Sequence, residues 1–528
     1  FTDALHPGYS TFANLAANRS RTPLLWVGAG DGMLHAFNGN TGAPVMSYVP
    51  EALVPRLNEV VRDDLGVRAF ADGSPFSADV DLNAGVTGAT TRDWRTYVFS
   101  SLGRGGRGIY ALDATTPSDL TQANAANVFR WSFNADDDRD LGYVVSDISV
   151  EPGTGQASPV VKLEDGRYAM VFGNGPRSPD GRAVLFILPV QGPNATGDWT
   201  GRYHKVVLDA GPNNGLSTPL ILDLDNDGRA DTVYAGDLRG NLWKVDISDA
   251  NPANWRSAYR APVTNVAEPL YIVTASDGTT RLPISGSPQV AFPRFGGQVV
   301  TVATGLSLEA GDFPRSGVAQ RVVGIWDRPA FAAGTRSLPR GTTTLVQRTV
   351  SRTASGDLVA SSTTAIDYTN ATASAARDGW YFEPPGTSEM VLSNIGFRAG
   401  SVFFTSIRSP SSLGGSCSAL PDAALYVFDP ISGLASRGLL GTVDVNSVQT
   451  PVLAREVDDQ RVRDVADATD DEPPPANPPA GTPTRLPSCP GGGQATRYVG
   501  RTTNLITCTP QNDARLQWRE IPGLRTGN

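Results

Sequence analysis

The feature that most constrains the fold of this chain is a two-strand phrase that recurs along its 528 residues. The phrase consists of an apolar strand that ends in small residues, a glycine-rich turn, and a second strand that in most copies ends in Asp or Asn. The six clear copies occupy residues 26–38, 97–101 with 108–113, 168–175 with 184–188, 232–236 with 240–246, 299–305 with 322–327, and 402–406 with 424–429. A degenerate seventh copy is predicted at 498–500 and 515–518. Because such a unit cannot bury its apolar surface alone, the copies are expected to stack against one another.

A second phrase, which ends in Ser-Pro or Thr-Pro, precedes several of the copies. It occurs at 73–75, 157–159, 217–219, 286–288 and 449–451, and each occurrence opens an apolar stretch. Proline at the start of a strand costs no ladder hydrogen bond, so these stretches are predicted to be the inner strands of four-stranded blades. The chain is therefore predicted to be all-β, a modified β-propeller of about seven blades with loop insertions and one or two short helices, in a single domain covering residues 1–528. A series of β-sandwiches is the alternative architecture.

Two segments depart from the repeat. Residues 51–62 space their apolar side chains at roughly helical intervals, which predicts a short helix there. Residues 455–495 are acidic and rich in proline and glycine, which predicts a flexible, solvated insertion. The chain has three cysteines, Cys417, Cys489 and Cys508. The last two are the favoured disulfide pair, although the sequence leaves the connectivity open.

Composition and charge argue against several classes of function. With 56 glycines, 40 prolines and only 18% charged residues, the chain suits many short strands joined by tight turns. A net charge of -9 argues against nucleic acid as a partner, because phosphate binding requires a basic surface. No run of about 18 apolar residues occurs, so no membrane-spanning segment is predicted. The chain begins at Phe1 without a signal-peptide pattern and is expected to be a fragment of a longer, exported protein.

A nine-residue acidic loop, Asp-Leu-Asp-Asn-Asp-Gly-Arg-Ala-Asp, has the spacing of a hard-cation site. Ca²⁺ prefers about six to eight oxygen ligands in a flexible shell, and alternate acidic side chains on a tight turn can supply them. Asp223, Asp225 and Asp227 would each offer a carboxylate oxygen. Arg229 would offer its backbone carbonyl, and Asp231 would close the shell with its carboxylate.

This loop departs from the EF-hand, because no helices flank it and its twelfth position is Tyr234 rather than Glu. The β-branched and apolar residues at 218–222 and 232–235 predict a strand on either side. The alternative interpretation is an acidic turn with four solvated carboxylates. Those carboxylates would repel one another without a cation, which favours metal binding. Ca²⁺ is favoured over Mg²⁺ because Mg²⁺ seldom uses a cage made wholly of protein ligands.

The other motifs are weaker evidence for a binding or catalytic site. The glycine-rich segment 103–108 matches a dinucleotide-binding pattern, but a strand follows it rather than a helix, so a glycine hairpin is predicted. The acidic residues 136–140 lack the alternation of a calcium loop, which favours a solvated loop over a second cation site. Four strand-ending aspartates are predicted to cap turns through Asx hydrogen bonds. They are Asp113, Asp246, Asp327 and Asp429.

Four stretches resemble the PilY1 family, the type IV pilus tip-associated proteins. They are the opening blade at 26–37, the acidic phrase at 136–143, the strand end Phe172-Gly-Asn-Gly175 and the acidic loop at 223–231. The opening phrase is also similar to the blade repeats of quinoprotein-like propellers. The resemblance covers nearly the whole chain and is weakest over residues 330–400.

The resemblance implies the C-terminal propeller of an exported pilus-biogenesis factor and adhesin, located at the cell surface, the pilus tip or the outer membrane. It implies that Ca²⁺ in the acidic loop regulates pilus extension against retraction, and so twitching motility. Pilins, minor pilins, the type IV pilus machinery and a host surface receptor are the implied partners. A surface adhesin scaffold with purely structural calcium is the alternative. A quinone-dependent dehydrogenase is less favoured, because the chain lacks an adjacent Cys-Cys pair, and the chain is expected not to be an enzyme.

Overall fold

The computed structural model describes most of the chain. The described residues are 2–60, 69–144, 158–306, 318–334 and 337–443, the last with gaps at 354–357, 363–365, 369–377, 387–388, 393, 399, 409–421 and 436–440, together with the backbone of 494–499 and 504–509. The predicted insertion at 455–495 lies outside these residues except for the backbone at its end. Cys417 and Cys489 and the proline phrase at 449–451 also lie outside them, so the predictions made there stay predictions.

In the described part of the chain the strands form six sheets of three to five strands, which follow one another along the sequence. The first sheet contains β1 (Leu24–Gly28), β2 (Leu34–Asn38) and β3 (Pro44–Tyr48). The second contains β4 (Phe76–Asp81), β5 (Trp94–Ser101), β6 (Gly108–Asp113) and β7 (Phe129–Asn134). The third contains β8 (Val160–Lys162), β9 (Tyr168–Gly173), β10 (Ala183–Pro189) and β11 (His204–Asp209).

The remaining sheets carry more strands each. The fourth contains β12 (Leu220–Leu222), β13 (Thr232–Gly236), β14 (Asn241–Asp246), β15 (Arg256–Ser257) and β16 (Tyr271–Ile272). The fifth contains β17 (Gln289–Ala291), β18 (Gln298–Ala303), β19 (Val322–Asp327), β20 (Leu345–Arg348) and β23 (Gly379–Phe382). The sixth contains β24 (Met390–Val391), β25 (Gly396–Arg398), β26 (Ser401–Arg408), β27 (Asp422–Phe428) and β28 (Gly441–Val443). Separate hairpins pair β21 (Val350–Arg352) with β22 (Leu358–Ala360), and β29 (Gln494–Val499) with β30 (Asn504–Thr509).

Each of the six clear repeat copies forms an antiparallel strand pair in a different sheet, so the predicted repeat is confirmed. Four of the Ser-Pro or Thr-Pro phrases directly precede the first strand of a sheet, at β4, β8, β12 and β17. The degenerate seventh copy is described only where it overlaps β29, so the number of blades stays a prediction.

Apolar clusters join each sheet to the next, as the blades of a propeller pack face to face. Each cluster contains residues from two successive sheets. Examples, in order along the chain, are Leu34 with Tyr110, Trp131 with Phe186, Val171 with Trp243, Tyr234 with Ile325, and Trp380 with Tyr426. This unbroken series matches the predicted propeller, whereas separate sandwiches would interrupt it.

Short helices lie in the connections between strands. The α-helices are α1 (Tyr9–Asn14), α2 (Ala16–Arg19), α3 (Leu57–Val60), α4 (Ala125–Val128) and α5 (Pro329–Ala332), and 3-10 turns occur at Glu51–Arg56, Gly103–Gly105, Pro117–Asp119, Gln122–Asn124 and Pro252–Asn254. The helix predicted at 51–62 is described as far as residue 60, where a 3-10 segment continues into α3; Pro55 lacks the N–H that a regular α-helical ladder requires. Where one or two helices were expected, the described residues contain five, each of four to six residues. Among the described helices, none has the length and apolarity needed to cross a membrane.

The glycine-rich segment 103–108 forms a 3-10 turn that leads into β6, which confirms the predicted hairpin. Gly105 packs directly against backbone: a Cβ built there would lie 1.5 Å from the carbonyl oxygen of Phe70. Close approach of two backbone segments therefore explains the glycine at this position.

We expect Gly105→Ala to lower the free energy of unfolding by about 3 kcal/mol, because backbone must move to admit the methyl group. Gly30→Ala is the matched control, since no atom lies within 4 Å of a Cβ built there. Denaturant unfolding of both variants measures the difference. Equal stability of the two would contradict the packing described for Gly105.

Three of the four strand-ending aspartates cap turns as predicted, with backbone N–H groups two or three residues ahead as donors. They are Asp113, Asp246 and Asp429. For Asp327 the prediction is wrong, because its carboxylate is buried and accepts hydrogen bonds from the hydroxyls of Tyr234 and Tyr259. The ammonium of Lys244 lies 2.8 Å from the same carboxylate. Asp327 therefore links the fifth sheet to the fourth through hydrogen bonds and an ion pair.

Candidate calcium site

The acidic loop connects β12 to β13, which pair as antiparallel neighbours with Leu222 opposite Thr232. The two predicted flanking strands are therefore confirmed. Both strands are buried on both faces, so the ends of the loop are held by the propeller core. A rigid pair of strands fixes where the loop begins and ends, and the acidic side chains only need to order the residues between them.

Three of the predicted carboxylates converge in this loop. One oxygen each from Asp223, Asp225 and Asp227 lies within 4.8 Å of the others. The Oδ1 atom of Asp223 is buried and has no hydrogen-bond partner among the described residues. A buried, unsatisfied carboxylate oxygen is costly, and an ion with an affinity for hard oxygen ligands would remove that cost. The donor set therefore fits Ca²⁺.

The loop backbone is shaped by its own side chains. Asp223 accepts a hydrogen bond from the N–H of Gly228 at 2.8 Å, and Asp225 accepts one from the N–H of Asp227 at 3.1 Å. Asn226 and Gly228 both have positive φ, 63° and 88°, which lets the chain reverse direction within a few residues. These turns bring the alternate carboxylates to one side of the loop.

Asp231 and Arg229 are placed differently from the other predicted ligands. Asp231 accepts a hydrogen bond from the N–H of Leu224 at 2.6 Å, and it is not part of the converging group of three carboxylates. Burial raises the pKa of Asp231, and the negative charges of Asp225 and Asp223 add to that rise. A divalent cation in the loop would oppose both effects. The Arg229 guanidinium lies 3.6 Å from Asp227, while its carbonyl remains the predicted ligand.

Residues distant in sequence support the loop from two sides. On one side, the carbonyl of Lys162 accepts a hydrogen bond from the N–H of Ala230 at 2.9 Å, and Glu164 lies 3.2 Å from the Arg229 guanidinium. On the other side, Leu5 packs against Gly228. Sequence reasoning missed these residues, because Glu164 lies 65 positions from Arg229 and carries no motif of its own.

The second acidic cluster, 136–140, is an internal ion-pair network. Asp138 and Asp140 are buried, and the Lys205 ammonium lies 2.7 Å from each of them. The Arg182 guanidinium donates a second set of hydrogen bonds to Asp140. The predicted solvated loop is therefore wrong for these two residues. Their charge is already balanced by Lys205 and Arg182, so they do not require a bound cation.

Comparison with known proteins identifies relatives of this chain. A family model described as the PilY1 beta-propeller domain matches residues 4–364, a range that includes the acidic loop. A type IV pilus biogenesis factor PilY1 homolog from Xylella fastidiosa strain Temecula1 is 29% identical over 469 residues, which cover 84% of this chain and 29% of the relative. The type IV pilus biogenesis factor PilY1 of Pseudomonas aeruginosa strain PAO1 is 32% identical over 400 residues, which cover 71% of this chain and 31% of the relative.

A solved structure is also similar. The crystal structure of the Pseudomonas aeruginosa PilY1 C-terminal domain aligns with a TM-score of 0.61 and 28% sequence identity, covering 84% of this chain and 88% of that one. The chain spans about three tenths of the length of the curated relatives that it matches.

Proposed function

Because the chain belongs to the PilY1 family and contains that family's β-propeller domain, we propose that it acts in type IV pilus biogenesis as a calcium-binding propeller without enzymatic activity. The calcium proposal rests on the convergence of three carboxylates, one of which, that of Asp223, has a buried oxygen without a hydrogen-bond partner. Asp223, Asp225 and Asp227 are the side-chain ligands. Asp231 and the carbonyl of Arg229 complete the shell once the ion draws the loop inward.

The ion acts in the proposal as a regulator. Calcium neutralises the repulsion among the loop carboxylates and holds the connection between β12 and β13 in one conformation. A ligand shifts an equilibrium only through its different affinity for two states, so a partner must distinguish the loaded loop from the empty one. Pilins, minor pilins and the pilus machinery are the proposed partners, at the cell surface or pilus tip. The proposed outcome is control of pilus extension against retraction, and so of twitching motility.

Calorimetric titration with CaCl₂ tests the site. We expect one saturable binding event in the wild type and none in Asp223→Ala, because that change removes the ligand whose oxygen is otherwise unsatisfied. Calcium at 100 times its dissociation constant should stabilise the wild type by about 2.7 kcal/mol, which thermal or urea unfolding measures.

Asp136→Ala is the matched control, because it removes one exposed carboxylate from a different acidic loop. It should bind calcium as the wild type does. Absence of both binding heat and calcium-dependent stabilisation in the wild type would overturn the ligand assignment.

The second candidate function is a surface adhesin scaffold in which calcium is purely structural. The observation that favours it is that the loop is anchored to two core strands and supported by Lys162 and Glu164, so an ion there could simply stabilise the blade. A bacterial strain that carries Asp223→Ala separates the two. Altered pilus number and lost twitching support regulation, whereas normal pili with lost surface attachment support the scaffold.

A further inference from the structure

We infer that the N-terminal segment 2–6 and the calcium loop are thermodynamically coupled, so that calcium binding and docking of this segment strengthen each other. The inference rests on the proposed calcium function and adds the element through which occupancy of the loop is transmitted. It starts from two contacts that the segment makes beside the carboxylates.

The first contact is between Leu5 and Gly228. A Cβ built at Gly228 would lie 2.9 Å from the Cβ of Leu5 and 3.4 Å from its methyl groups, so the Leu5 side chain covers the Cα of Gly228. Gly228 has a φ of 88° and donates its N–H to Asp223, so its position depends on the same carboxylate that the ion would bind. A change in the conformation of the loop therefore alters the contact between Gly228 and Leu5.

The second contact passes through Lys162. The ammonium of Lys162 donates to the carbonyl of Leu5 at 2.9 Å, while the carbonyl of Lys162 accepts the N–H of Ala230 at 2.9 Å. One residue of the third sheet thus holds the segment with its side chain and the calcium loop with its backbone. Because the two contacts share Lys162, displacement of the loop alters the bond to the segment as well.

The segment is held on both sides of Leu5, because the Asp3 carboxylate on one side accepts the N–H of Ser10 at 2.7 Å. His6 is buried and hydrogen-bonds the Tyr168 hydroxyl at 2.6 Å, and the Pro7 carbonyl accepts the indole N–H of Trp94 at 3.1 Å. Leu5 is 36% exposed and lies against Gly228 of the loop. Small contacts of this kind are readily made or lost when their support moves.

These contacts define a two-way linkage. Calcium would cancel the repulsion among Asp223, Asp225 and Asp227 and so favour the loop conformation in which Gly228 contacts Leu5. With an ion, the loop is fixed and Leu5 has a defined surface to cover. Linkage is reciprocal, so the docked segment must in turn favour calcium binding by the same factor.

Leu5→Ala tests the inference without touching a ligand. We expect it to weaken calcium binding about fivefold in calorimetry, since coupling free energies of this kind start near that value. The matched control is Leu25→Ala, because Leu25 is also exposed, at 58%, but lies on β1 in the first sheet. It should leave calcium affinity unchanged.

Hydrogen exchange supplies the independent readout. In the wild type, saturating calcium should slow amide exchange in the peptide that contains Leu5 and His6, and Asp223→Ala should remove that effect. If the wild type binds calcium while segment exchange and the affinity of Leu5→Ala both stay unchanged, the coupling is wrong and the calcium site stands. If the wild type binds no calcium, the proposed function itself fails, and the coupling fails with it.

Discussion

Asp327→Asn is expected to lower the free energy of unfolding by about 3–5 kcal/mol, the cost of removing one partner from a buried ion pair. The Asp327 side chain is almost completely buried at the end of β19 and receives only donors: the hydroxyls of Tyr234 and Tyr259 and the ammonium of Lys244. The asparagine amide would offer one acceptor oxygen where the carboxylate offers two. Its NH₂ group, itself a donor, would face these donors. The pKa of Tyr234 lies well above its ordinary value through burial and the charge of Asp327, so its hydroxyl stays protonated and donates.

A double-variant cycle separates lost charge pairing from general disruption. Lys244→Met removes the cation, and in that background Asp327→Asn should cost markedly less than in the wild type. Asp246→Asn is the control, because Asp246 also ends a strand but is exposed and caps a turn. Urea unfolding of all four proteins gives the coupling free energy. A loss below about 1 kcal/mol for Asp327→Asn would mean that the buried cluster does not stabilise the junction between sheets.

Asp327 also shows where sequence reasoning stops. The repeat identified it as one of four equivalent strand-ending aspartates, and three of them do cap turns. Its hydroxyl partners lie 93 and 68 positions away in the chain, Tyr234 on the preceding sheet and Tyr259 in the connection between β15 and β16. Nothing local distinguishes it, because the difference arises only when two blades pack together. The same holds for Leu5, which is distant in sequence from the acidic loop and contacts it at Gly228.

Features that depend on neighbouring residues were predictable. The strand pairs of the repeat follow from alternating apolar stretches and glycine turns, and all six clear copies form the expected antiparallel pairs. The convergence of Asp223, Asp225 and Asp227 follows from their alternation in one short loop. Asp231 was less predictable, because its hydrogen bond to Leu224 depends on how β13 closes the hairpin.

Asp140→Asn is expected to lower the free energy of unfolding by about 3 kcal/mol, near the lower limit for a broken buried pair. Asp140 is fully buried and pairs with both Arg182 and Lys205. Their side chains are 30% and 31% exposed, so water compensates part of the charge left behind, which places the effect below that of Asp327. The Asp140 carbonyl also accepts the Asn174 amide at 2.7 Å, and this bond survives the substitution.

Arg182 provides its own matched control. It also lies 3.6 Å from Asp180, whose side chain is 34% exposed. Because exposed ion pairs contribute little, Asp180→Asn should cost less than about 1 kcal/mol in the same urea titration. Equal effects of the two substitutions would contradict the buried network. A large effect confined to Asp140 would explain the acidic phrase at 136–140 as a structural anchor between the second and third sheets.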